Sequence, residues 1–304
     1  MIITYVKKLY LCLTIVYFMN VLVYNTVMTR PYSWVGAVLV AIMANVMATR
    51  AFLINWDMAY DVLTAFAIWC TSTLAVEYFH RKTDGRGLTN PVIPLLSIVL
   101  LLAMFAYKNA AALIFLPILI AADVMYSMKI RNLLISRFSF MLRGILEVCT
   151  FLVVAFFHNS YDVFGFLTVL LAVYMLTNSR NLIGDIRDVK FDSYTFPKRY
   201  GIGISYAISV AFIIASFLLL PDLLIMLPAL LFIAAIPLSR NAYTLHRLFV
   251  LATTFFYMNY ILYLLGQSLV FSNILFIAVL LNFSYPSVPR KSNPRQEGIY
   301  SYQK

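Results

Sequence analysis

Eleven apolar runs follow one another along the chain, separated by short polar breaks. They are Leu9–Tyr24, Trp34–Ala48, Met58–Val76, Val92–Tyr107, Ala110–Met125, Phe140–Phe157, Val163–Thr177, Ile202–Leu220, Leu223–Leu238, Leu248–Leu265 and Leu269–Phe283. None keeps the strict alternation of a half-buried strand, and all are long for one. A membrane-crossing helix needs about 20 residues, and shorter runs complete the span with interfacial Tyr, Trp, Lys and Arg. Lipid offers no partner for an open backbone, so only helices and closed barrels cross it, and long non-alternating runs exclude a barrel. The pattern predicts an all-α polytopic membrane bundle. We expect about nine core transmembrane helices, an N-terminal extra segment and an eleventh run that either spans or does not.

Composition agrees. Of the 304 residues 63% are apolar and 12% charged, against roughly 45–50% and 25% in ordinary globular chains. A single soluble domain of this size would leave much of that surface exposed to water, so lipid is the expected solvent. The formal net charge of +11 would suggest nucleic acid in a soluble chain. Here the cations gather in alternate loops, and no nucleic-acid motif accompanies them, so no nucleic-acid partner is expected. Arg81, Lys82 and Arg86 share one loop, Lys129, Arg131 and Arg137 a second, and Arg187, Lys190, Lys198 and Arg199 a third. Arg240 and the tail residues Arg290, Lys291 and Arg295 keep the same parity, while the opposite loops hold little beyond Arg50 and Lys108. These basic loops are expected on the cytoplasmic side of an integral, multi-pass protein. Residues 1–27 read as an uncleaved apolar segment, because no small-x-small site follows the run after Lys7 and Lys8. Residues 284–304, polar with three prolines, read as a disordered cytoplasmic tail. Cys12, Cys70 and Cys149 each lie in an apolar run without a CxxC, which argues against a disulfide framework or a zinc site.

Acids beside a bilayer are costly, so their clusters are candidates for function. Two stand out: Glu77, His80 and Asp84, and Asp185, Asp188 and Asp192. Both follow the spacing i, i+3, i+7, which places three groups on one helical face. Both close an apolar run and carry cations between their members. Two such faces meeting across a bundle would need a cation between them. Oxygen ligands in this number suit Mg²⁺ with a substrate diphosphate, and nearby Arg and Lys would hold further phosphate oxygens. Ordinary boundary charges paired at i, i+3 and i, i+4 are the competing explanation. Asp57, Asp61, Asp162 and Asp222 read as caps or interfacial acids. Asp123 and Glu147 either line a cavity or pair with a basic residue. His158 and His246 read as interfacial.

In this order along residues 28–265 the chain resembles the UbiA superfamily of intramembrane prenyltransferases. Thr29-Arg30-Pro31 before an apolar helix is similar to the start of that family's first helix. The stretch from Glu77 to Gly85 falls where the family has its first Asp-rich motif. Tyr126-Ser-Met-Lys129-Ile-Arg131 resembles the basic stretch after its fourth helix. Asp185-Ile-Arg-Asp188-Val-Lys-Phe-Asp192 with Thr195-Phe-Pro-Lys-Arg-Tyr-Gly201 resembles its second Asp-rich motif and trailer. The first motif departs from the pattern. Val76 replaces an Asn, Glu77 and His80 replace two Asp, and only Asp84 is kept.

The resemblance implies one domain over residues 28–283. It implies a reaction in which an isoprenoid diphosphate is ionised with Mg²⁺ and its prenyl group passes to an unidentified lipophilic acceptor. Asp185, Asp188, Asp192, Glu77 and Asp84 would hold the metal, and Lys129, Arg131, Arg187, Lys198 and Arg81 the diphosphate. His80 would serve as a neutral ligand or as a cation touching the diphosphate, or would pair with a neighbouring acid. Two other activities stay open, cyclisation of the donor onto itself and transfer of a phosphosugar to a polyprenyl phosphate. So does a non-catalytic isoprenoid-binding or transport role, which the altered first motif suggests.

Overall fold

The computed structural model describes residues 31–84, 91–127, 137–190, 194–237 and 241–284, without the side chains of 31–33, 77, 80–84 and 282–284. Among the described residues there are eleven α-helices and two 3-10 turns, and no strand. Five segments are long and apolar enough to cross a membrane: Trp56–Val76, Ala110–Ser127, Ser139–Phe157, Ile202–Leu219 and Ala242–Leu264. Four shorter apolar helices accompany them, Trp34–Thr49, Val92–Lys108, Leu223–Ala235 and Val270–Leu281. The helical class matches the expectation. Of the roughly nine core crossings expected, five meet length and apolarity by themselves among the described residues. The N-terminal segment and the polar tail lie outside those residues.

The chain divides into two compact units, one of residues 1–130 with 145–163, the other of residues 131–144 with 164–304. The first holds α1 (Pro31–Thr49), α2 (Trp56–Asp84), α3 (Val92–Lys108), α4 (Phe115–Ser127) and most of α5 (Leu142–Phe157). Helices α1, α3 and α4 all pack on α2. At 29 residues, α2 is about 43 Å long and outreaches the ~30 Å hydrocarbon layer. Its last two turns, 77–84, continue past the apolar stretch because no Gly or Pro interrupts them before Gly85. On α3, Ile93, Ser97, Leu101 and Phe105 turn inward, yet Leu95, Leu96, Val99 and Leu100 face outward. A helix apolar on its outer face as well suits lipid rather than water.

In the second unit α6 (Leu167–Arg187) is the axis, with α7 (Phe196–Tyr200), α8 (Ile202–Leu219) and α10 (Ala242–Leu264) packed on it. Helices α9 (Leu223–Ala235) and α11 (Val270–Ser284) lie against α10 and each other. Helix α8 turns Ser205, Ser209, Ile213 and Ser216 inward. These small side chains allow a close approach. Ser216 Oγ donates to the Ala172 carbonyl at 3.4 Å, and Ser179 Oγ to that of Ser209 at 3.1 Å. Pro228 lies inside α9 and has no N–H for the Leu224 carbonyl one turn back. Asn259 Nδ2 and Asn273 Nδ2 donate to that oxygen instead, at 3.0 and 2.9 Å. Two asparagines, at the end of α10 and the start of α11, thus satisfy the carbonyl that proline leaves free.

One contact makes a glycine obligatory. The Gly144 N–H donates to Asn178 Oδ1 at 3.0 Å. A Cβ on Gly144 would lie 2.6 Å from Asn178 Oδ1 and Tyr174 Cδ2 and 2.9 Å from the Tyr174 carbonyl oxygen. The backbone oxygen cannot turn aside, so Gly144→Ala destabilises the protein by about 1–3 kcal/mol. Thermal unfolding in detergent reads this as a lower melting temperature, and an unchanged melt would refute the close approach.

Candidate functional site

The second motif sits at the C-terminus of α6. Asp185 is in its last turn and Asp188 caps it, with the Asp188 N–H on the Gly184 carbonyl at 3.1 Å. The expected helical face of three acids is not continued: α6 ends at Arg187 and residues 188–190 form a turn, so Asp185 lies in the helix, Asp188 caps it and Asp192 lies outside the described residues. Asp185 and Asp188 are buried, 5% and 6% exposed, at the helix end where backbone carbonyls already concentrate negative charge. Carboxylates so placed require cations. One is present: Arg187 Nε donates to Asp188 Oδ1 at 2.9 Å and NH2 to Oδ2 at 2.5 Å. The remaining nitrogen, NH1, lies 3.1 Å from His246 Nδ1 on α10. A guanidinium only donates, so Nδ1 accepts. Arg180 and Arg247 also act electrostatically on His246, so three guanidinium groups lie near this imidazole.

Gly184 makes room for that imidazole. A Cβ there would lie 3.2 Å from His246 Cδ2 and Nε2, so the ring edge rests on the α6 backbone. The following segment is anchored by Phe196, whose ring packs on Phe140 (centroids 5.5 Å apart) and on Leu182. Gly201, with φ 98°, ends α7 in a conformation that favours glycine. Lys198, expected to hold diphosphate, is exposed on α7, and no bond joins it to the acid pair among the described residues.

The first motif belongs to the other unit. The α2 backbone is helical through Asp84, so Glu77, His80, Arg81 and Asp84 all lie on one continuous helix, as their spacing predicts. Their side chains lie outside the described residues, as do Asp192, Lys129 and Arg131. Of the five expected metal ligands, only Asp185 and Asp188 have described side chains. Among the described residues no three His, Cys, Asp or Glu side chains converge as a metal site.

Several expectations are corrected. Asp61, read as a cap or interfacial acid, is 0% exposed. Its Oδ2 accepts from Asn45 Nδ2 and lies beside His158 Nε2, both at 2.7 Å. His158, read as interfacial and without an acid partner, is partly buried just past the end of α5 and pairs with this acid 97 positions away. His246, also read as interfacial, joins the Arg187 cluster. One signal was legible: Asp61 lies a turn inside α2, too deep to cap it, in a run otherwise apolar. Nothing local marks His246 or Gly184. Asp222 does cap α9, accepting from the N–H groups of Leu224 and Ile225 at 2.9 and 3.1 Å. Asp57 pairs with Lys108 at the surface. Asp123, buried in the first unit, accepts from Ser72 Oγ.

Comparison of the chain with protein-family models, curated proteins and solved structures returns no match.

Proposed function

We propose that the chain is an intramembrane prenyltransferase acting on an isoprenoid diphosphate. The observation that carries this reading is the buried Asp185–Asp188 pair at a helix C-terminus, with Arg187 bound to both oxygens of Asp188. Such an arrangement joins a cation-demanding carboxylate pair to an anion-binding arginine. The resemblance of the second motif to the UbiA superfamily points the same way. The donors are hard carboxylate oxygens, which suit Mg²⁺ better than a thiophilic metal. Asp185, Asp188 and Asp192, with Glu77 and Asp84 of the first motif, are the proposed ligands. When bound, Mg²⁺ would offset the negative charge that develops on the departing diphosphate.

Arg187, Lys129, Arg131, Arg81 and Lys198 hold diphosphate oxygens in this reading, and the motif loops face the cytoplasm. The bond between the allylic carbon and the diphosphate oxygen breaks, and its electron pair leaves with the diphosphate. An acceptor nucleophile captures the allylic cation in apolar surroundings poor in water. The test is diphosphate release by purified protein in detergent, fed a panel of prenyl diphosphates with and without Mg²⁺. Mg²⁺-dependent release supports the reading. Cyclic products without an acceptor would reassign the chain as a cyclase, and turnover with a phosphosugar donor alone as a phosphosugar transferase. Donor binding without release would favour a non-catalytic isoprenoid-binding protein. The altered first motif and the closed Arg187–Asp188 pair are what speak for that second reading.

A further inference from the structure

We infer that His246 is a positioning residue. It keeps Arg187 at the diphosphate subsite while that arginine exchanges Asp188 for a phosphate group. The inference rests on the prenyltransferase reading and adds a residue that no motif contains.

In the structure Arg187 and Asp188 satisfy each other. Nε and NH2 of the guanidinium occupy both carboxylate oxygens. Arg187 therefore offers this edge to a phosphate only after it gives up those two bonds. The Nε and NH2 hydrogens so released form a planar fork that matches two phosphate oxygens. Arg187 stays at the site through its third nitrogen, because NH1 remains on His246 Nδ1. The imidazole itself is held from behind by the bare backbone of Gly184, where a Cβ would meet Cδ2 and Nε2 at 3.2 Å.

This exchange couples the two ligands. A cation on Asp188 weakens the hold of that carboxylate on Arg187 and so eases release of the guanidinium to phosphate. A diphosphate that draws Arg187 away in turn frees two carboxylate oxygens for a cation. Each ligand eases the bond-breaking that the other requires, so each strengthens binding of the other.

The test is calorimetric binding of inorganic diphosphate to the full chain in detergent, with and without Mg²⁺. Wild type is expected to bind at least about tenfold more tightly with Mg²⁺. His246→Leu, which has no acceptor for NH1, weakens Mg²⁺-dependent binding by about tenfold or more. His246→Gln, whose side-chain oxygen can accept, recovers most of it. Gly184→Ala presses on the imidazole and weakens binding by a smaller factor. In turnover, His246→Leu raises KM more than it lowers kcat. Wild-type affinity in His246→Leu, or no recovery in His246→Gln, overturns the inference. Should His246→Leu not fold, unchanged affinity in Gly184→Ala overturns it equally. Loss of binding in Asp188→Ala with no effect at His246 would sink the inference alone. A wild-type protein that binds no diphosphate under any condition would remove the prenyltransferase reading beneath it.

Discussion

Asp188→Asn lowers Mg²⁺-dependent diphosphate release on the order of 10²–10³-fold, the usual cost of removing one preorganised electrostatic contact to a developing charge. The substitution keeps the shape of the side chain and leaves its oxygen within reach of Arg187 Nε, now 2.9 Å away. What it removes is the negative charge that holds the guanidinium in charge-assisted bonds and that, in the proposed reaction, would bind a divalent cation. The loss is expected in kcat and in kcat/KM together, because in the proposed reaction Asp188 would serve charge that appears only as the bond breaks. Binding of the hydrocarbon part of the donor changes little. A melting temperature close to wild type would show that the defect lies in the chemistry. Release at the wild-type rate from a folded Asp188→Asn protein would refute the assignment of this carboxylate.

His158→Leu destabilises the first unit by about 3–5 kcal/mol, the typical effect of breaking a buried pair by removing one member. The Asp61 carboxylate is 0% exposed, the His158 side chain 13%. With the imidazole gone, Asn45 is the one side chain left donating to Asp61 among the described residues. The cost then comes from an uncompensated buried carboxylate rather than from lost contact area. Adding Asp61→Leu to His158→Leu should return much of the stability, since no carboxylate then remains at that position without its imidazole. Thermal and denaturant unfolding of the two single variants and the double variant in detergent measure the coupling. Additive losses would show that the two side chains act independently, against the short contact between them.

Much of the architecture was legible because hydropathy is a local property. The apolar runs of α2, α8 and α10 correspond to helical segments of crossing length. The spacing of Glu77, His80 and Asp84 also anticipated correctly that α2 runs through all three. Asp185 and Asp188 were found the same way, since their helical spacing is written in adjacent residues. The expected number of crossings exceeded the five that qualify alone. Four further apolar helices, Trp34–Thr49, Val92–Lys108, Leu223–Ala235 and Val270–Leu281, fall short of crossing length.

The partners of the polar groups were not legible. Asp61 looked like a surface acid because caps and buried acids share the same residue type. Only the fold decided that it meets Asn45 of α1 and His158 just past the end of α5. Arg187 looked like a free phosphate ligand, yet the fold closes it on Asp188 and on His246, 59 positions away. Gly184 and Gly144 looked like ordinary glycines until neighbouring side chains were seen to occupy the place of a Cβ. The sequence by itself determined a helical chain built for lipid and the one-turn spacing of Asp185 and Asp188. Both follow from residue type and spacing along one helix. The tertiary structure alone decided which charges are buried and what neutralises them. Burial and pairing depend on side chains brought together from distant helices, and no local pattern encodes that distance.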